Sequence, residues 1–302
     1  MPKASIDIGS NSLLLLVVDD DGGTLYDQAK VVGLGRGLGH RGLFQADRME
    51  AALEILTEYG QTAESMGVPA EQIRAVATSA ARRAMNAETF FDKVQASTRI
   101  EVEIISGDRE AELTWAGALI GLPTPSGTTA VVDLGGGSTE IVIGSVDGQT
   151  VLGQQSLELG SVRHTEKFFG ANPERYHPSD LAQLRAAINE EVSQFNWQSM
   201  PRSLVAVAGT ATTLCAMELG MTEWDASRIH GCRLGRAALR RWIDKLLGST
   251  PDERRQWAVI SPERADYLLV GACVLEAVCS SANKDSLWIS DGGVRHGLML
   301  VD

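Results

Sequence analysis

Two short stretches share a plan that suits phosphate chemistry: "DIGSNS" at 7–12 and "DLGGGSTE" at 133–140. Each ends an apolar, strand-like run on an aspartate, Asp7 or Asp133, and turns through small residues into a second apolar run. A tight Gly/Ser turn between two strands points several backbone N–H groups in one direction, and such a nest binds anions. Glycine lets an anion approach the backbone and tolerates positive φ. That gives Gly135, Gly136 and Gly137 a reason to interrupt a β pattern that glycine otherwise weakens. Ser10, Ser12 and Ser138 add hydroxyl donors. An aspartate beside the nest repels phosphate unless a cation stands between them. Mg²⁺ binds through one or two carboxylates plus phosphate oxygens and water, which suits Asp7 and Asp133.

Two glutamates lie close to these features in sequence. Glu110, in "ISGDREAELTW", falls in the first turn of an expected helix that follows a strand. Glu140 opens the second strand of its hairpin, directly after the Gly/Ser turn. A carboxylate in a first helical turn also complements the helix dipole. Two carboxylates near phosphates suit hydrolysis, one activating water and the other orienting it or a metal. "AGT" (208–210) and "DGG" (291–293) each precede an expected helix, and a helix N-terminus with Gly209 and Thr210 is a further anion site. No Ser-His-Asp set, HExxH or GK[ST] motif is present. His164 and His296 each sit beside an arginine but have no evident partner, and they read as ordinary loop or surface residues.

These residues must be positioned by a fold, and the composition bounds it. The 302 residues are 44% hydrophobic and 22% charged, enough for one large or two ordinary globular domains. The run Leu13–Val18 is closed by three aspartates and is too short to span a bilayer, and no basic leader precedes an apolar segment. A cytoplasmic protein without a membrane anchor is expected. The net charge of −12 disfavours nucleic acid and anionic membranes as partners. Cys215, Cys232, Cys273 and Cys279 form no CxxC pair and read as buried free thiols.

Ser5–Ile8 and Leu13–Val18 read as strands around the first turn, followed by a strand through "TLYDQAKVV". "GLGRGLGHRG" (33–42) resembles GxGxxG loosely but completes no βαβ unit, so a dinucleotide site is rejected there. A helix begins near Asp47, taken as its N-cap, and Ser106 or Asp108 caps a later one. "PTPSG" (123–127) is the best linker. After it the plan restarts, with 126 residues separating Asp7 from Asp133. A duplicated α/β fold is expected, with domains 1–123 and 124–302 and a ligand cleft between them.

The set "DIGSNS", "ATSAAR", "ISGDREA", "DLGGGSTE", "LGSVR", "AGTATTL", "ERADYLLVGA" and "DGGVRHG" resembles the exopolyphosphatase / guanosine pentaphosphate phosphohydrolase family, from residue 6 to residue 297 in order. That family lies within the actin-like, sugar-kinase and Hsp70 ATPase superfamily. The resemblance implies two ribonuclease-H-like α/β domains and Mg²⁺-dependent removal of a terminal phosphate from polyphosphate or pppGpp. It implies Glu110 as the catalytic base, Glu140 positioning water or metal, and Asp7 and Asp133 holding Mg²⁺ or orienting the loops. Phosphate contacts would come from Ser10, Asn11, Gly135, Gly136, Gly137, Ser138 and Arg82, with Arg163 and Arg295 as weaker members. The chain stops shortly after "DGGVRHG", so it is read as the short, two-domain form without a helical HD-like region, and a homodimer is compatible with it. Two other readings stay open on the residues. One is a kinase or ATPase of the same superfamily, and the other is a non-catalytic alarmone-binding protein.

Overall fold

The computed structural model describes residues 1–38, 42–123, 127–147, 150–170, 176–197, 199–262 and 264–301. It forms two compact units: Met1–Gly117 with Val294–Asp302, and Ala118–Gly293. The linker expected at 123–127 falls mostly outside the described residues.

In the first unit β1 (Lys3–Ile8), β2 (Ser12–Val18), β3 (Thr24–Val31), β4 (Arg74–Ala77) and β5 (Val102–Ile104) form a sheet in the order β3-β2-β1-β4-β5. The hairpin strands β1, β2 and β3 pair antiparallel, while β4 joins β1, and β5 joins β4, in parallel. In the second unit β6 (Thr128–Leu134), β7 (Thr139–Ser145), β8 (Thr150–Leu157), β9 (Ser203–Val207), β10 (Arg233–Gly235) and β11 (Ser286–Ile289) repeat this as β8-β7-β6-β9-β11, with β10 added antiparallel at the far edge. The register repeats as well: Ile8 pairs with Leu13 at the first turn, and Leu134 with Thr139 at the second. The expected duplication and the α/β, ribonuclease-H-like class both hold.

Alternation along β1 sorts its side chains. Ala4, Ile6 and Ile8 enter the core under α1 (Ala46–Ser65) and α3 (Ala87–Thr98), which follows the short α2 (Ser79–Arg83). Ser5 and Asp7 face the other way. The α1 helix starts one residue before Asp47; its N-cap is Gln45, whose side chain makes no cap bond and instead donates to the Arg36 carbonyl. Asp47 therefore sits in the first turn, where its charge complements the helix dipole. Ser106 does cap α4 (Gly107–Ala118), its Oγ accepting from the Arg109 N–H at 3.2 Å.

The second unit builds its core around an apolar helix. There α5 (Ser161–Phe169), α6 (Pro178–Ser193), α7 (Ala208–Glu218), α8 (Ala226–Ile229), α9 (Arg236–Leu247) and α10 (Pro251–Arg255) precede α11 (Leu268–Ser281). α11 packs against α5, α6, α7 and α9. It is apolar over most of its surface, as a largely enclosed helix must be, with Glu276 paired to Arg240. β9 is buried at all five positions, the habit of a central parallel strand.

The closing helix α12 (Val294–Leu300) departs from the expected 124–302 domain: it packs on β1 and β2 of the first unit. Val294 and Leu298 join Val76, Ile105 and Leu113 in one apolar cluster. Ser5 Oγ donates to the Arg295 carbonyl at 2.7 Å, and Arg74 donates to the Leu298 carbonyl. α12 and α4 cross so closely that a Cβ at Gly297 would lie 2.0 Å from the Leu113 carbonyl oxygen. Gly297→Ala forces the two backbones apart and is expected to destabilise the protein by about 1–3 kcal/mol, read as a lowered urea midpoint. An unchanged midpoint would contradict so close a crossing.

Candidate active-site residues

The two turns are built alike. The Gly9 N–H donates to the Ser12 carbonyl at 3.0 Å, and the Gly135 N–H donates to the Ser138 carbonyl at 3.0 Å. A Cβ on Gly9 or Gly135 would lie 3.2 or 3.1 Å from that same acceptor oxygen, so both positions favour glycine. The N–H groups of Ser10 and Asn11, and of Gly136 and Gly137, find no acceptor among the described residues. These are the outward donors that an anion nest requires.

Each turn is backed by the segment that follows the third strand of its unit. Behind the first, Val32 and Gly33 N–H groups donate to the Asn11 carbonyl and Gly35 N–H donates to the Ser10 carbonyl at 2.7 Å. A Cβ at Gly35 would press within 3.2–3.3 Å of Ser10 and Ala80. The start of the glycine-rich loop rejected as a dinucleotide site, Gly33 to Gly35, is thus a buttress for the turn. Behind the second, Ser161 N–H donates to the Gly135 carbonyl, and Val162 and Arg163 N–H groups donate to the Gly136 carbonyl, each at 3.0 Å. A Cβ at Gly160 would come within 2.3 Å of the Gly136 oxygen. The "LGSVR" segment spends the first N–H groups of α5 on the turn, so they are not donors to a ligand. Arg163 pairs with Glu158 and His164 is buried beside Gly160, stacked on Phe168. Burial lowers the His164 pKa to about 4, which keeps the ring neutral.

In the first unit the carboxylates sit at the C-terminal ends of the parallel strands. Asp7 is beside Val76 of β4. It retains some exposed surface, but its Oδ1 is buried and accepts no hydrogen bond among the described residues. Burial pushes the Asp7 pKa up to about 6, against the opposing pull of the Arg295 charge. Glu110 lies in the first turn of α4, 6% exposed. Arg82, at the end of α2, donates to Glu110 Oε2 at 2.7 Å and to the Ile105 carbonyl at 3.0 Å. Two residues placed far apart in sequence are therefore one unit: the arginine fixes the orientation of the buried carboxylate.

In the second unit Asp133 and Glu140 are direct partners across β6 and β7, so their side chains share one face. Ser156 is the partner of Glu140 on β8, and its Oγ donates to Glu140 Oε1 at 2.7 Å. Glu140 is 2% exposed. The equivalent partner of Asp7 is Leu14, so the acidic pair exists in one unit only.

The "AGT" turn opens α7 with Ala208 at φ 69°, a left-handed conformation that strains a residue with a Cβ. Gly209 lies under Arg264, whose guanidinium a Cβ there would meet at 2.3 Å; Arg264 donates to the Gly209 carbonyl and to Thr213 Oγ1, each at 3.1 Å. Gly271 likewise makes room for Thr210. Both partners come from "ERADYLLVGA", a stretch to which the sequence reading gave no role. The signal was present as an arginine and a glycine in one motif, but only the fold shows what they cover. Upstream, fully buried Arg254 pairs with Asp266 and lies over the Tyr176 ring, fixing the segment that carries Arg264.

Arg295 is placed otherwise than expected. Its Nε and one terminal nitrogen make a bidentate pair with Asp27 at 2.8 and 2.9 Å, and the residue is 7% exposed. A guanidinium committed in this way ties α12 to β3. His296 also approaches Asp27, at 3.9 Å.

Among the described residues no three His, Cys, Asp or Glu side chains gather as a metal cage. The unpartnered Asp7 oxygen nevertheless suits a hard cation that takes its other ligands from water and phosphate. Asp7 also makes stability pH-dependent. Its folded pKa lies above the ordinary 3.8, so the folded chain holds the proton more tightly and ionisation costs stability. The cost is absent below about pH 4 and complete above about pH 6. In EDTA, the stability of Asp7→Asn minus that of the wild type is expected to rise across this window by at most about 3 kcal/mol. A flat difference curve would contradict the burial of the charge.

Residues 16–302 match the Ppx/GppA phosphatase family. The chain is 33% identical over 317 aligned positions to exopolyphosphatase 2 of Mycobacterium tuberculosis, covering 98% of this chain and 97% of that one. Among solved structures it resembles the Aquifex aeolicus Ppx/GppA family member, with a TM-score of 0.80 and 31% identity over 99% of this chain and 96% of that one. It also resembles an exopolyphosphatase from Cytophaga hutchinsonii, with a TM-score of 0.89 and 26% identity over 99% and 97%. The duplicated sheets, the paired Gly/Ser turns and the Arg82–Glu110 and Asp133–Glu140 groups thus belong to a hydrolase of phosphoanhydride bonds, and the chain is a member of the Ppx/GppA phosphatase family.

Proposed function

We propose that the protein releases the terminal phosphate of inorganic polyphosphate or of pppGpp in a Mg²⁺-dependent hydrolysis. The observation that carries this reading is the Arg82–Glu110 pair: a buried carboxylate held in one orientation, in a unit whose Gly/Ser turn offers outward N–H donors. A carboxylate so held acts as a general base. Glu110 takes a proton from water as the water oxygen attacks the terminal phosphorus. The bridging P–O bond breaks, and the shortened chain departs with the bridging oxygen. The N–H groups of Ser10, Asn11, Gly136 and Gly137, with the Ser138 hydroxyl, are assigned to phosphate oxygens. Asp7 and the Asp133–Glu140 pair are assigned to holding Mg²⁺ and orienting water. The cation, when bound, offsets the charge of the phosphates. The exopolyphosphatase names of two relatives support polyphosphate as the substrate class.

A cytoplasmic location fits the unpaired cysteines, and no described helix is long and apolar enough to cross a membrane.

Phosphate release from tripolyphosphate, long-chain polyphosphate, pppGpp and ATP, each in Mg²⁺ and in EDTA, tests the proposal. Glu110→Gln keeps an acceptor for Arg82 and is expected to lower turnover by about 10²–10⁴-fold with an unchanged urea midpoint. Near wild-type turnover in that variant would end the role given to Glu110. ADP formation from ATP only in the presence of an acceptor would favour a kinase instead. Mg²⁺ is expected to raise the melting temperature of the wild type and of Glu110→Gln more than that of Asp7→Asn.

A further inference from the structure

One row of side chains across the second sheet is polar on all three of its strands. Asp133 of β6 stands directly opposite Glu140 of β7, and Glu140 stands directly opposite Ser156 of β8. Directly paired residues point to the same face, so the three share it. The equivalent row of the first unit runs Asp7, Leu14, Ala29. The glutamate and the serine thus occur together in one unit and are replaced together in the other. Ser156 Oγ donates to Glu140 Oε1 at 2.7 Å, the length of a charge-assisted bond to a carboxylate. Glu140 is 2% exposed, while Ser156 stands exposed on β8, the end strand of the sheet.

The backbone selects serine, rather than its neighbour, for that position. β7 and β8 keep one register from Thr139–Leu157 to Ile143–Gly153, and it then shifts so that Gly144 faces Val151. Leu152 is the extra residue, 48% exposed. The register of Gly144–Val151 and Ser145–Thr150, continued without that shift, would bring Gln155 opposite Glu140 and turn Ser156 to the other face. Past the serine, Leu157 and Leu159 enter the core, and Thr139 Oγ1 donates to the Leu159 carbonyl, which locks the two strands in the shifted register.

We propose, on the role already assigned to Glu140, that Ser156 is a positioning residue for it. The last torsion of a glutamate is broad, so burial alone does not set the rotation of its carboxylate. The Ser156 hydroxyl sets it by occupying Oε1. The serine touches neither phosphate nor the attacking water; it acts through the carboxylate that meets Mg²⁺ and water.

A double-mutant cycle on the full chain tests this. It is read as phosphate release from polyphosphate and from pppGpp in Mg²⁺, and as the Mg²⁺ concentration that half-saturates the rise in melting temperature. Ser156→Ala is expected to lower kcat by about 10-fold or more, the worth of a hydrogen bond to a charged group, with KM little changed. It is also expected to raise the Mg²⁺ midpoint several-fold. Ser156→Thr keeps the hydroxyl and is expected to restore both. Glu140→Ala removes the acceptor, and adding Ser156→Ala to it is expected to change neither reading further. Equal losses from Ser156→Ala with and without Glu140 would overturn the proposal, since a merely structural serine acts in either background. A wild-type kcat and Mg²⁺ midpoint in Ser156→Ala, beside a damaged Glu140→Ala, would overturn it and leave the role of Glu140 standing. Wild-type behaviour of Glu140→Ala would remove both.

Discussion

Much of this molecule depends on one hydrogen bond made twice. The first glycine of each turn donates its N–H to the carbonyl three residues on, Gly9 to Ser12 and Gly135 to Ser138. That bond closes the connection between two antiparallel strands tightly enough to leave the next two N–H groups without an internal acceptor. It also leaves only a tight fit for a Cβ on the donor glycine, 3.2 Å from the acceptor oxygen at Gly9 and 3.1 Å at Gly135. The constraint spreads outward from there. Because the turn carbonyls must be covered, each is backed by a glycine-containing segment, at Gly35 and at Gly160. The strand before each turn carries an aspartate one residue before its end, Asp7 ahead of Ile8 and Asp133 ahead of Leu134.

The two units answer this constraint with the same sheet order and register but with different chemistry. The first places its second carboxylate on a helix, Glu110, and clamps it with Arg82 from the neighbouring strand–helix junction. The second places its second carboxylate on the adjacent strand, Glu140, opposite Asp133 and supported by Ser156. Asp7 opposes stability where it is ionised, since one oxygen has lost water without gaining a hydrogen bond. Ala208, held at positive φ, adds backbone strain at the start of α7. A buried charge in the first unit and backbone strain in the second suit elements whose geometry serves binding and reaction rather than folding.

How much of this was legible in the sequence follows from range. The hairpin turns, the duplication and the candidate carboxylates are local patterns, and a glycine run between two apolar strands has few explanations. The Arg82–Glu110 contact was not legible as a contact, because it joins the ends of two parallel strands through a crossover, and spacing carries no trace of it. Arg264 over Gly209 was hidden because the two lie 55 residues apart, one before α11 and the other at the start of α7. The commitment of Arg295 to Asp27 was hidden differently. The chain returns to the first unit with its last helix, so a linear cut at the Pro-rich segment assigned α12 to the wrong body. The Asp47 cap was off by position alone, a matter of where one helix turn begins.

The central claim is that the two turns bind phosphate through backbone N–H groups, and it can be read amide by amide. In ¹⁵N-labelled Glu110→Gln protein with Mg²⁺, tripolyphosphate is titrated while the backbone amides are followed by NMR. The account predicts saturable shifts at Ser10, Asn11, Gly136 and Gly137, with the amides of Ser161 and Val162, already bonded to the turn, moving far less. Saturable binding that leaves all four of those amides unshifted would contradict it.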